Sequence, residues 1–149
     1  MFTIPYQPGE LKAVAVDAEG NPAPERNEGG HTVLRTAGKP YALRVKADRT
    51  ALTADGQDLA YLTVEVVDRN GVVCPNASDE IQISTSGPAV LAALGNADVK
   101  EVGTTVDNVH NAWKGHALAV LRSSSSAGKV TVKVTSPGLK QAKISLKVK

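Results

Sequence analysis

Residues 53–75 read TADGQDLAYLTVEVVDRNGVVCP. At the centre, Ala60, Leu62, Val64 and Val66 alternate with Tyr61, Thr63 and Glu65. Successive side chains of a strand point to opposite faces, so this pattern predicts a strand with one face buried and one wet. Both flanks are turn signals. An Asn-Gly pair favours positive φ at both central positions of a type I′ turn, so VEVVDRNGVVCP reads as strand, tight turn, strand. ADGQD reads as the turn that launches the first strand. Asp55, Asp58, Glu65 and Asp68 raise the alternative of a calcium loop. An EF-hand needs oxygen ligands at alternate positions, a Gly at the sixth and a Glu at the twelfth. Asp55, Gln57 and Asp58 do not meet that spacing, and Asp68-Arg69-Asn70-Gly71 reaches its Gly too soon. The stretch is a strand between two turns.

The same period of two recurs along the chain. Val130, Val132 and Val134 alternate with Thr131, Lys133 and Thr135; Ala142, Ile144, Leu146 and Val148 alternate with Lys143, Ser145, Lys147 and Lys149. Shorter versions lie at Leu11–Val16, His31–Thr36, Tyr41–Ala47, Glu80–Thr85 and Gly115–Ser123. Turn signals such as EGNP, EGGH, AGKP, SGP, SAGK and SPG separate them, and no segment sustains a 3.6-residue period. Short strands at this spacing predict an all-β, immunoglobulin-like antiparallel β-sandwich. The SSSS run, Ser123–Ser126, reads as a polar hairpin turn, and the lysines near the end read as charge on the outer face of an edge-like strand.

The first 38 residues differ from the rest. Two strand-like runs flank a polar loop, Asp17 to Gly30, with two prolines and three glycines. Two strands cannot bury a core alone. They are expected to be an N-terminal two-stranded extension, the end of a preceding domain, with TAGKP as linker. The domains are therefore placed at 1–38 and 39–149.

Composition narrows the function. A chain of 149 residues is long enough for one self-sufficient core. Aromatic content of 3% is too low for a base-stacking platform, and a net charge of +2 gives no reason to expect nucleic acid as a partner. The single cysteine, Cys74, excludes an internal disulfide and a cysteine-cluster zinc site. No apolar run reaches the ~20 residues of a membrane-spanning helix, and the first residues lack a signal-peptide pattern. His31, His110 and His116 are spaced without a partnering carboxylate cluster, so no metal is expected. Cys74 precedes Pro75 with no adjacent base, which predicts a nearly buried, inert thiol. Asp55 and Asp58 are expected to be solvated and unperturbed. Trp113 is the one large aromatic whose role is open: it either plugs the end of the sandwich under the loop 96–115 or presents a flat apolar face to a sugar ring.

Three segments carry a resemblance. RTAGKPYALRVKADRTALTADGQDLAYLTVEVVDRNGVVCP, residues 35–75, resembles the junction into the C-terminal β-sandwich of family 2 glycoside hydrolases, the β-galactosidase group. IPYQPGELKAVAV, residues 4–16, resembles the closing strands of the immunoglobulin-like domain before it. GHALAVLRSSSSAGKVTVKVTSPGLKQAKISL, residues 115–146, resembles the last strands of the module. The family commonly has a glycine-asparagine-glycine-aspartate pattern followed by a proline-threonine-serine run. Here Gly95, Asn96 and Asp98 remain, Ala97 replaces the second glycine, and VKEVGTTVDNVHNA replaces the run. Trp113 stands where the family usually has another aromatic. The DGQD and VEVVDRNG patterns are shared with invasin-type bacterial repeats.

The resemblance implies an exported bacterial enzyme, periplasmic or at the cell surface, that hydrolyses terminal β-galactosides. Its two catalytic carboxylates would lie ~5 Å apart in a TIM barrel, which needs about 250 residues, and this chain cannot contain one. The expectation is a non-catalytic C-terminal accessory domain with no catalytic residues, no cofactor and no metal. Its partners would be other domains of the parent glycosidase, with glycan as a second candidate, and neither nucleic acid nor membrane insertion. The alternatives are a carbohydrate-binding module using Trp113, Asn96 and Asp98, or an invasin-type adhesin spacer. An exposed apolar patch along Leu11–Val16 would mark a lost neighbour and favour the accessory role.

Overall fold

The computed structural model describes residues 3–16, 18–21, 33–101 and 103–149. Most of the Asp17–Gly30 loop, with the EGGH turn and His31, lies outside the described residues. The chain divides into two compact units, 1–36 and 37–149.

The first unit holds β1 (Glu10–Lys12) and β2 (Val33–Arg35), antiparallel with Glu10 opposite Arg35. The Arg35 Nε donates to Glu10 Oε2 at 2.8 Å, and the Thr36 amide donates to the Gly9 carbonyl at 2.8 Å. Every β1 residue is exposed. The expected strand Leu11–Val16 is thus shortened and shifted.

The second unit is the sandwich. One sheet contains β4 (Ala51–Leu52), β11 (Ala142–Val148), β10 (Gly128–Thr135), β6 (Glu80–Ser86) and β8 (Val109–Asn111), in that order. The other contains β3 (Ala42–Ala47), β5 (Leu59–Val67), β9 (His116–Ser123) and β7 (Ala89–Gly95). Pairing is antiparallel except for β4 beside β11, so the predicted all-β, immunoglobulin-like sandwich is the architecture. Alternation dictates the core. Leu62, Val64 and Val66 of β5 face Ile81 and Ile83 of β6, Leu121 of β9, Val130 to Val134 of β10 and Leu146 of β11 in one buried cluster. Each such side chain contributes about 1.5–3 kcal/mol of apolar burial.

Three local readings are corrected. Asn70-Gly71 does not form a type I′ turn: only Gly71 has positive φ (78°), and the Gly71 amide donates to the Asp68 carbonyl. This is a three-residue loop ending in a left-handed glycine. Asp68 selects it, because its Oδ1 accepts the amides of Asn70 (2.8 Å) and Val72 (2.9 Å). Ser123–Ser126 is no hairpin turn either. It carries the chain from β9 in one sheet to β10 in the other, with Ser124 bonded to the Pro88 carbonyl through both amide and hydroxyl. Finally, the edge reading of β11 holds only in part: Ala142–Leu146 pair with β10 alone, while Lys147–Val148 are flanked by β4 as well.

Candidate functional site

The topology places Asp68, Cys74, Asn96, His110, Trp113 and His116 toward the end of the sandwich where β3 begins, and Asp55 and Asp58 at the other end, beside Ser123. At the β3 end β5 and β10 finish, β6, β9 and β11 start, and a tight turn carries the chain from β8 in one sheet to β9 in the other. This tight turn is of type I′. Trp113 and His116 exchange backbone hydrogen bonds of 2.8 and 3.0 Å, and Lys114 (φ 50°) and Gly115 (φ 77°) both adopt the left-handed conformation. The Gly115 amide donates to the Ala77 carbonyl at 2.8 Å, and a Cβ there would lie 2.4 Å from the Cys74 carbonyl oxygen. Only glycine lets the turn seat so closely.

Trp113 is half-buried, and the Lys114 ammonium sits 4.4 Å from the centre of its ring. One face of the indole is therefore engaged by a cation. Asn96 donates from Nδ2 to Glu101 Oε2 (2.6 Å) and to the Asn111 carbonyl (2.9 Å), while its Oδ1 accepts the Asp98 amide (2.8 Å). Asp98 in turn accepts the Lys100 amide through Oδ1 at 3.0 Å. Asn96 and Asp98 thus close their own loop.

The carboxylates of the opening stretch hold turns together. Asp55 Oδ1 accepts the amides of Gln57 and Asp58, each at 2.8 Å, and the Ser123 hydroxyl at 3.2 Å. Those amide bonds hold its carboxyl below the ordinary aspartate range, so the expectation that Asp55 is unperturbed is corrected. Asp58 Oδ2 accepts the Thr53 amide at 2.7 Å. Asp68 is buried, and its Oδ2 accepts the Gly38 amide at 2.8 Å, which lowers its pKa most, followed by the Val72 bond. Glu65 faces outward but is nearly covered. Burial raises its pKa, and the hydrogen bond and charge of Arg44, with Lys46 at 3.4 Å, outweigh that and leave it lowered. Asp55 and Asp68, bonded to their own turns, and Glu65, paired with Arg44 and Lys46, are held below the ordinary carboxylate range and are poor proton donors, and they do not converge on one place.

Cys74 is buried, its thiol 3.6 Å from the Gly38 carbonyl. Burial, then Asp68 and Asp79, push its pKa up, so it stays a thiol. The His110 side chain is buried against Glu101 (3.8 Å), and that of His116 is half exposed. Among the described residues no group of three His, Cys, Asp or Glu side chains could hold a metal.

Exposed apolar surface is the remaining feature. In the first unit Leu11, Val14, Val16 and Leu34 are 46–64% exposed. In the sandwich, the outer face of the β3-β5-β9-β7 sheet carries Tyr61 and Leu118, 43% and 45% exposed, with Val120 and Ala93 in the adjoining register. Sequence reading missed this face. The signal was present in Ala117–Leu121, which is apolar on both faces of one strand.

Residues 43–145 match the model of the family described as glycoside hydrolase family 2 C-terminal domain 5. The chain belongs to this family. Similar proteins agree across the family 2 domain and beyond it. The chain is 32% identical over 145 residues to the β-galactosidase BoGH2A of Bacteroides ovatus, covering 97% of this chain and 16% of that protein. It is 32% identical over 118 residues to a β-glucuronidase of Formosa agariphila, covering 75% of this chain and 11% of the relative. In three dimensions it is similar to a glycosyl hydrolase family 2 member of Bacteroides cellulosilyticus. That likeness has a TM-score of 0.83 and 35% identity, over 98% of this chain and 18% of the other. The chain thus spans between about one ninth and one sixth of the length of these relatives, and its place in the family is a C-terminal, non-catalytic accessory β-sandwich domain.

Proposed function

We propose that the family 2 domain packs against other domains of a parent glycoside hydrolase that hydrolyses terminal β-galactosides, and that it stabilises and orients them by apolar burial. The observation that carries this reading is apolar surface without a partner. Leu11 and Leu34 sit on a two-stranded sheet that cannot cover them, and Val14 and Val16 follow it in the chain, equally exposed. Tyr61 and Leu118 face outward from a sheet whose other side is already the core. Contiguous apolar surface of this kind marks a covered face in the larger protein. In this reading residues 1–36 are the closing strands of a preceding domain and 37–149 the module itself. The names of two relatives, both β-galactosidases, supply β-galactoside as the substrate class, with the β-glucuronide of the Formosa agariphila relative as the competing one; an exported parent is part of the same proposal.

The test uses the parent polypeptide with and without residues 37–149. The expected result is unchanged kcat for a β-galactoside with a clearly lower Tm and faster thermal inactivation. Equal Tm for the two forms would overturn the stabilising role, and a lost kcat at full folding would give the module a part in catalysis.

A further inference from the structure

The other outer face of the sandwich is built against its own stability. In the β10–β11 pairing, Lys129 stands directly opposite Lys147 and Lys133 directly opposite Lys143, with Thr131 opposite Ser145 between them. All four lysines lie on the face turned away from the core, since Val130, Val132, Leu146 and Val148 take the inward positions. Like charges directly opposite across a ladder are destabilising, and the arrangement occurs twice. Among the described residues no carboxylate is within ion-pair distance of any of the four lysines. Across β10 from Lys133 is Ser84, and from Thr131 is Ser86. The acid on this face of β6, Glu80, lies four residues from Ser84 along the strand. Protection of an exposed edge accounts for Lys143 at most, because β10 is paired on both sides and β4 covers β11 at Lys147–Val148.

We infer that this lysine face binds an anionic polysaccharide, a sugar chain bearing carboxylate or sulfate groups. The two lysine pairs stand ~13 Å apart along the strands, with ~4.8 Å between the members of a pair. An extended anionic chain crossing them would neutralise both repulsions at once. Ser84, Ser86, Thr131 and Ser145 add hydroxyls able to meet sugar hydroxyls. A protein partner fits poorly: interface cores are apolar and depleted in lysine, and the rows these lysines form hold no apolar side chain. Nucleic acid fits poorly too, because no aromatic lies among these positions to stack on a base. This surface is opposite in character to the apolar face of the other sheet, so the two roles stand or fall separately.

The experiment uses the 149-residue chain on immobilised heparin and polygalacturonate, with neutral galactan and a DNA duplex as comparison probes. Expected is retention on both acidic polysaccharides in dilute buffer, lost by ~0.5 M NaCl as screening sets in, with little retention on galactan or DNA. The double variant Lys133→Glu/Lys147→Glu places a carboxylate opposite Lys143 and another opposite Lys129. It should lose retention at least tenfold while its Tm holds or rises, a combination that misfolding cannot produce. Lys133→Gln/Lys147→Gln, which removes both repulsions but adds no new pair, should lose retention with Tm held or modestly raised. Equal retention on DNA, equal retention on galactan, no retention on either acidic chain, or full retention by the variants would each overturn the inference.

Discussion

Asp68 shows how a residue that looks like a ligand becomes part of the frame. Its two oxygens accept the amides of Gly38, Asn70 and Val72, so it fixes both the β5 loop and the segment leading into β3. Those bonds favour the carboxylate and lower its pKa; Asp48, Asp55 and Glu65 are lowered as well. A lowered folded-state pKa means the unfolded chain binds protons more readily, so this stability is complete above the ordinary carboxylate range and drains away as pH falls below it. Urea unfolding of 37–149 should therefore give a constant midpoint from about pH 7 to 5.5 and a steady fall below about pH 4.5. Asp68→Asn should lower the neutral-pH midpoint and flatten the acid slope; an unchanged slope would mean that Asp68 is not among the groups responsible. Gly115→Ala is the second expected lesion at this scale. A methyl 2.4 Å from the Cys74 carbonyl, at φ 77°, forces the turn off its seat. The cost should be at least 1–3 kcal/mol, seen as a Tm drop of several degrees. The sequence showed that Asp55 and Asp68 belong to turns. It did not show which turn would be type I′, because an Asn-Gly pair is only a local preference, and Asp68's side chain overrode it through contacts two and four residues on.

At the scale of elements, strands with clean alternation were legible and those without it were not. β5, β10 and β11 lie within two residues of where their patterns placed them. β7 was missed because AVLAALG does not alternate: a bulge between Leu91 and Ala93 shifts the register against β9, so the inward set passes from Leu91 to Leu94. β4 and β8 were missed because two or three residues are too few to show a period. β9 offers the sharpest test of face assignment, since Leu121 is fully buried and Leu118 is 45% exposed. In the isolated chain Leu121→Ala should cost about 2–5 kcal/mol. Leu118→Ser in the same strand should stay within about 0.5 kcal/mol. In the parent polypeptide Leu118→Ser should become costly, lowering Tm by several degrees. Equal tolerance in both settings would mean that the outer face of this sheet meets water in the parent too.

For the whole molecule, the question is whether the first 36 residues contribute to the stability of the sandwich. The buried cluster draws its side chains from Leu43 to Val148, with Ala37 the earliest residue packed against it, and none from β1 or β2. The change of composition near residue 38 was visible in the sequence, but which neighbour those strands belong to was not, because two exposed strands look alike whether they finish one sandwich or extend another. Physics separates the cases. If β1 and β2 belong to a missing neighbour, deleting residues 1–36 removes exposed Leu11, Val14, Val16 and Leu34 without touching the core. The shortened chain should then unfold at the same temperature within about a degree, and should bind much less of an apolar-surface dye such as ANS. A substantial loss of Tm would instead make the two-stranded sheet a working part of the sandwich. In that event the apolar surface on β1 and β2 would have to be explained by this chain alone, and the parent enzyme would lose its main structural witness.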